Sequence, residues 1–107
     1  MSKTYVYFIE ETDSYRSPKP VKIGLAGDPQ KRLEKLQVGN SSELTLIMSI
    51  PCESPEEAGR LERSLHWIAS KRFRHLRGEW FQIRGSYAKL IGQALKSSGI
   101  QTKEGEK

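Results

Sequence analysis

Cysteine is nearly absent from the 107-residue sequence, and its single thiol, Cys52, has no partner for a disulfide within the chain. A Cys-based zinc cluster with the two histidines is excluded for the same reason, so we expect Cys52 to be a small hydrophobic residue at a strand end. Long apolar runs are also missing, since no stretch approaches the roughly 20 residues that cross a bilayer. The N-terminus enters a strand-like segment without a hydrophobic leader. We therefore predict a soluble, cytoplasmic protein with no membrane partner.

Acidic residues are too few to balance the basic ones. The sequence has 18 Lys and Arg against 13 Asp and Glu, a formal net charge of +5, and its pI is about 9.5. This excess favours an acidic partner, and phosphate backbones are the commonest of these. Hydrophobic residues make up only 36%, which at this length predicts one domain with a modest core.

Short runs of β-branched and aromatic residues predict three strands, at residues 4–9, 21–24 and 44–50. The first two strands form an antiparallel hairpin in this interpretation, and the apolar third strand suits the middle of a small sheet. Residues 79–83 are either a further short strand or an extended segment that covers the core. A turn at Arg77 and Gly78 precedes them.

Capping residues followed by apolar side chains at helical spacing predict three helices, at residues 28–39, 55–73 and 86–98. Asp28 and Ser54 are the N-cap residues of the first two, and each precedes a proline, which fits the first helical position. The predicted fold class is α+β, a small three-stranded antiparallel sheet flanked by helices. We expect residues 1–99 to form a single domain and residues 100–107 a disordered polar tail.

Four short motifs follow one another along these elements. Tyr5-Val6-Tyr7 lies on the first strand, Lys22-Ile23-Gly24 on the second, Arg32 on the first helix and Leu61-Glu62 on the next helix. In this order they resemble the GIY-YIG endonuclease superfamily. Finer similarity indicates a short branch, named after a bacteriophage T5 open reading frame and a meiotically up-regulated yeast gene. The segments that carry this similarity are residues 21–24, 31–33, 36–40, 62–66 and 78–81.

The resemblance implies a metal-dependent DNA endonuclease that hydrolyses phosphodiester bonds. Glu62 would hold Mg²⁺ or Mn²⁺, Arg32 the scissile phosphate, and Tyr7 with Lys22 the attacking water. No small-molecule cofactor is implied. Two neighbouring side chains are candidates to support these groups: Tyr5 and His66.

The sequence departs from the superfamily pattern in two places. Lys22 stands where most members have the second tyrosine, which leaves open which group takes the proton from water. No clear counterpart exists for the asparagine of larger members, and Glu79-Trp80-Phe81 occupies that part of the chain. Glu79 is either a second metal ligand or a structural residue before an aromatic core anchor, and the sequence favours the structural role.

Glu62 lies at the edge of the apolar stripe of the second helix, one turn before His66. A half-buried carboxylate at this position needs a cation nearby, because burial of its charge is otherwise uncompensated. Mg²⁺ would meet this need, since it keeps several waters and is completed by phosphate oxygens. An ion pair with His66 or Arg32 would meet it as well, so a structural role stays open.

Arg32 and Tyr7 also have ordinary alternatives. Arg32 is either a solvated charge on an amphipathic helix or a planar donor matched to a phosphate in transfer. Tyr7 is either a strand aromatic with a hydrogen-bonded hydroxyl or the group that positions the attacking water.

The second helix also carries a basic stripe opposite its apolar one. We interpret this stripe as a surface that follows a nucleic-acid backbone, with its tryptophan stacking on bases. A solvated basic face, with the tryptophan covered by the C-terminal helix, is the alternative. The residues of the stripe are Arg60, Arg63, Trp67, Lys71 and Arg74.

Together with these residues, the resemblance to the GIY-YIG superfamily implies a metal-dependent DNA endonuclease. The first alternative is a non-catalytic DNA-binding module of the same fold. The second is an RNA-binding or protein-interaction domain that uses only the basic stripe.

Overall fold

A computed structural model describes residues 3–100 as alternating strands and helices. The α+β class is confirmed. Residues 101–107 of the predicted tail lie outside the described residues. The division into a domain (1–99) and a tail (100–107) therefore stays a prediction. The elements are β1 (Thr4–Glu11), β2 (Pro20–Ala26), α1 (Pro29–Val38), β3 (Leu44–Cys52), α2 (Pro55–Arg72), β4 (Arg74–Arg77), β5 (Trp80–Gln82) and α3 (Tyr87–Ser98).

The sheet has five antiparallel strands in the order β3-β1-β2-β5-β4, so the prediction of three strands is wrong. β5 corresponds to the segment predicted as a strand or a cover. The sequence does not predict β4: it places Arg74 on the second helix and Arg77 in a turn, because Arg74–Arg77 consists of two arginines, a histidine and a leucine and shows no apolar alternation. The chain leaves α2 in an extended conformation at Phe73, and the backbone of β4 then pairs with β5.

β3 is an edge strand, and its predicted position in the middle of the sheet is also wrong. Its run of apolar residues has another cause, since helices cover both faces of the sheet. Leu44 and Leu46 pack on the side of α1, whereas Met48 and Ile50 pack on the side of α2 and α3. β1 lies between β2 and β3 and provides most of the central pairing.

Alternate residues of β1 enter two separate cores, as expected from the two-residue period of a strand. Val6 and Phe8 face the larger core under α2 and α3, which we call the α2 face. Tyr7 and Ile9 face the smaller core under α1, which we call the α1 face. Among residues 3–100, no helix combines the length and apolarity that membrane crossing requires.

The predicted caps place both site-bearing helices. The Asp28 carboxylate accepts a hydrogen bond from the backbone N–H of Lys31 at 3.2 Å, and the Ser54 hydroxyl accepts one from Glu57 at 3.1 Å. These bonds satisfy donors that the first helical turn leaves unpaired. They fix where α1 and α2 begin, and therefore which of their residues face the sheet.

Candidate active site

The candidate site lies beside Ile23, at the point where β2 is no longer paired with β5. We call this part of the sheet the β2 edge. β5 pairs with β2 from Pro20 to Lys22, and beyond that point other groups satisfy the backbone of Ile23. Its N–H donates to the carbonyl of Glu79 at 3.0 Å, and its carbonyl accepts from Nε2 of His66 at 2.9 Å. The second bond ties α2 to the edge of the sheet. It therefore fixes Glu62, which lies one turn before His66, at the same edge.

Three ligand-type side chains meet at this edge: Glu62, His66 and Glu79. One donor atom from each lies within 4.8 Å of the others. Glu62 and His66 come from α2, whereas Glu79 lies in the turn before β5. The sequence pattern favours a structural role for Glu79 before an aromatic core anchor. The β4–β5 hairpin, which the sequence pattern does not predict, brings its carboxylate to Glu62.

Burial raises the pKa of Glu62, and the negative charge of Glu79 raises it further. His66 and Lys22 act in the opposite direction, but their effect is smaller. The Glu62 Oε2 atom lies 3.8 Å from Nε2 of His66. The carboxylate is thus half-buried beside a second carboxylate, and nearby cations compensate only part of that cost.

Lys22 faces this pair of carboxylates from β2. Its Nζ lies 2.9 Å from Oε1 of Glu79, and only 13% of its side chain is exposed. The ammonium also lies 5.9 Å from the centre of the Trp80 ring, within the range of a cation–π contact. Lys22 and Glu62, both predicted site residues, are therefore connected through Glu79.

Tyr7 lies on β1 directly opposite Gly24 of β2. Its ring covers Gly24 so closely that a Cβ atom at that position would lie 2.6 Å from Cζ of Tyr7. The residue is only 1% exposed. Its hydroxyl makes no hydrogen bond with another residue from 3 to 100. Tyr7 and Lys22 lie on the same face, two register positions apart.

Arg32 is exposed on α1 and makes no ion pair with any residue from 3 to 100. At 100° per residue it lies about 70° from the centre of the inward stripe formed by Leu33 and Leu36. Gln37 lies about 70° to the other side and binds the start of β3 through Ser42 and Leu44. Arg32 is therefore on the flank of α1 that faces away from that end of β3. The proposed ion pair between Arg32 and Glu62 is not formed.

Tyr5, predicted to support the site, lies two residues before Tyr7 and pairs with Ala26. It lines a shallow cleft with residues 27–30 at the start of α1. No hydrogen bond connects its side chain to the Glu62 cluster within the described residues. His66, the other supporting candidate, belongs to that cluster directly.

The donors at the β2 edge fit a hard divalent cation. A carbonyl only accepts hydrogen bonds, so Nε2 of His66 must donate to Ile23 and is not free to bind a metal. The remaining donors are the carboxylates of Glu62 and Glu79. Two carboxylates suit Mg²⁺ or Mn²⁺, which take oxygen ligands, whereas Zn²⁺ favours sites with more nitrogen or sulfur ligands.

Four of the five residues predicted for the basic stripe lie on α2, and the fifth, Arg74, does not. Trp67 is 63% exposed, so α3 does not cover it, and Nζ of Lys71 lies 5.5 Å from the centre of its ring. Arg60 and Arg63 are exposed on the same helix. Arg74 is not on this helix, because α2 ends at Arg72 and Arg74 opens the edge strand β4.

A family model described as the T5orf172 domain matches residues 4–96, most of the chain. The chain therefore belongs to the T5orf172 domain family, a family of nuclease-like, DNA-binding domains, as the resemblance to the phage T5 branch predicted. No curated protein and no solved structure shows significant similarity to it.

Proposed function

We propose that this T5orf172 domain is a metal-dependent DNA endonuclease whose active site lies at the open edge of β2. The observation that carries the proposal is the meeting of Lys22, Glu62 and Glu79 from three distant parts of the chain. Two half-buried carboxylates repel each other, so a nearby pair is costly unless a cation compensates it. Lys22 supplies one positive charge, and a divalent ion would supply the rest.

Glu62 would hold Mg²⁺ or Mn²⁺, and Glu79 would be a second oxygen ligand or an acceptor for metal-bound water. Because only two protein carboxylates are offered, water and phosphate oxygens would complete the coordination shell. Such an ion, when bound, supplies positive charge against the phosphoryl oxygens. The contact between His66 and Ile23 would keep Glu62 in place by anchoring its helix turn.

Tyr7 and Lys22 would position the attacking water. The hydroxyl of Tyr7 makes no hydrogen bond with another described residue, so it is able to accept one from water. The ammonium of Lys22 lies on the same face, and its charge favours the deprotonated form of a nearby water. In this proposal Lys22 takes the place of the missing second tyrosine.

Arg32 would bind the scissile phosphate. Its guanidinium is exposed and makes no ion pair within residues 3–100, so its planar donors are available to a ligand. A fixed positive fork near the phosphate stabilises the negative charge that develops during transfer.

Cleavage of supercoiled plasmid by the purified chain, with and without Mg²⁺ or Mn²⁺, tests the proposal. We expect metal-dependent nicking or cutting that Glu62→Gln abolishes without loss of fold. Glu56→Gln is the matched control, because Glu56 is an exposed carboxylate on the same helix. Parent-like cutting by Glu62→Gln would remove Glu62 from the mechanism. Metal-independent DNA binding without any cutting would instead support the alternative, a non-catalytic DNA-binding module.

A further inference from the structure

The edge strand β4 is flanked by two clefts rich in arginine. A cleft of about 490 Å³ is lined by Arg16, Arg74 and Arg77 together with Trp80. A second cleft of about 400 Å³ is lined by Arg72, Arg74 and Arg84. Arg74 lines both, so the two clefts form one continuous surface around β4. We call this surface the arginine band, and its members are Arg16, Arg72, Arg74, Arg77 and Arg84.

The charge of the arginine band is not neutralised within the described part of the chain. The three ion pairs there are Lys3–Glu53, Lys22–Glu79 and His66–Glu62, and none includes an arginine. Glu11 is the one carboxylate that lines either cleft. Arg72 is held by Gln93 and lies over the Phe73 ring, which fixes its direction without cancelling its charge. Five of the eight arginines in the sequence are thus concentrated on one edge of the sheet.

The arginine band is continuous with the candidate active site. Arg77 pairs with Trp80 on β5, and Trp80 pairs with Lys22 on β2, so the three residues form one row across adjacent strands. With strands about 4.8 Å apart, Arg77 lies about 10 Å from Lys22 along the sheet. One strand of a duplex carries a phosphate about every 3.4 Å of its axis, so this distance corresponds to about three nucleotides. The band would meet phosphates next to the one at the site.

We propose that the arginine band binds the phosphate backbone of a DNA duplex whose neighbouring nucleotides occupy the β2 edge. The inference rests on the proposed function for its choice of DNA. Guanidinium groups are planar forks that match phosphate oxygens, which explains why the band consists of arginine. Backbone contacts carry no direct sequence information, so the band orients the duplex without selecting bases.

A different explanation of the same charges is protection of the sheet edge. Charged side chains on an edge strand prevent pairing with other chains, and β4 is the open edge beside β5. This explanation predicts aggregation of charge-neutral variants and an unchanged affinity for DNA. It does not require arginines outside β4, such as Arg16 and Arg84, to face the same clefts.

Salt dependence of duplex binding tests the proposal, with Ca²⁺ replacing Mg²⁺ so that no cutting interferes. Each phosphate contact contributes about −0.9 to the slope of log affinity against log salt. The double variant Arg74→Gln/Arg77→Gln should therefore flatten the slope by about 1.8. Between 50 and 200 mM salt, the parent should lose about 12-fold more affinity than this variant does. Two unrelated duplex sequences should be affected alike.

Lys89→Gln/Lys96→Gln is the matched control, because it removes the same charge from exposed positions on α3, and it should leave the slope nearly unchanged. Arg16→Gln/Arg84→Gln removes two band residues outside β4, so it repeats the test without altering the edge strand. An unchanged slope in both band variants, or an equal change in the α3 control, would overturn the inference. Aggregation with an unchanged slope would assign the band to edge protection instead.

The binding measurement is independent of catalysis. Binding through the band by a chain that cuts no DNA would leave this inference standing and would overturn only the endonuclease proposal. Metal-dependent cutting with an unchanged salt slope in the band variants would overturn this inference and leave the endonuclease proposal standing.

Discussion

The ring of Tyr7 lies against the backbone of Gly24 on the neighbouring strand, in the space that a side chain at Gly24 would occupy. Gly24 is therefore needed for a close approach, since its φ is not in the left-handed region. The two residues belong to the two strand motifs of the family resemblance. Their contact explains in physical terms why an aromatic residue and a glycine occur opposite each other here.

Gly24→Ala should displace the Tyr7 ring, because the new Cβ would lie 2.6 Å from Cζ of Tyr7. Overpacking of this kind costs about 1–3 kcal/mol of unfolding free energy. Denaturant unfolding measures that loss. Gly92→Ala is the control, since nothing lies within 4 Å of a Cβ there, and alanine should stabilise that helix position. Equal stability of the Gly24→Ala variant and the parent would contradict the close approach.

Tyr7→Phe removes the hydroxyl and keeps the ring, so it distinguishes a role of the hydroxyl in cleavage from a role of the ring in packing. The hydroxyl makes no hydrogen bond within residues 3–100, so its removal should change unfolding free energy by less than about 1 kcal/mol. Plasmid cleavage should fall by about 10²-fold or more if the hydroxyl positions the water. Single-turnover rates and DNA affinity in Ca²⁺ measure the two effects. Unchanged cleavage would leave Tyr7 as a core aromatic.

Lys22→Met should reduce turnover much more than DNA affinity, because Lys22 contacts Glu79 in the candidate site. Its loss also leaves Glu79 half-buried without its cation, which should lower stability. Glu79→Gln and the double variant complete a cycle that isolates the coupling between the two residues. Lys31→Met is the control, since Lys31 is an exposed lysine on α1. Equal losses of turnover and affinity would make Lys22 a simple phosphate contact.

The elements with patterned side chains could be predicted from the sequence. β1, β2 and the three helices have apolar periodicity or capping residues, so their positions agree with the structure to within a few residues. β4 could not be predicted in this way. Its strand character comes from backbone pairing with β5, while its side chains, two arginines, a histidine and a leucine, show no apolar alternation. Arg74 was therefore placed on the wrong element.

The residues of the candidate site likewise include some that the sequence predicts and some that only the folded chain brings together. Glu62 was identified from a motif and from its place at the edge of an apolar stripe. The contact of Glu79 with Lys22 depends on where β5 stops pairing with β2, which no local pattern reports. The segment Gly78-Glu79-Trp80-Phe81 did mark this region, because its aromatic residues anchor β5. The arginine band likewise joins residues from a loop, a helix end and β4, and only the folded chain brings them together.

The last prediction concerns the pH dependence of stability in metal-free protein. The pKa of Glu62 is raised in the folded chain by burial and by Glu79, so the folded state binds this proton more tightly than the unfolded state. Stability from this group is therefore present below the unfolded pKa, about 4.3, and is lost as pH rises through the higher folded pKa. Glu62→Gln should remove this loss. The stability of the parent minus that of the variant should thus fall as pH rises from about 4.3 toward neutrality.

Thermal or denaturant unfolding of both proteins across this range measures the difference, and Glu56→Gln should follow the parent at every pH. Mg²⁺ at about 100 times its dissociation constant should stabilise the parent by about 2.7 kcal/mol at neutral pH. It should stabilise Glu62→Gln much less, because the variant lacks one carboxylate ligand. A difference that rises with pH would contradict the raised pKa. Equal stabilisation of both proteins by Mg²⁺ would place the metal elsewhere.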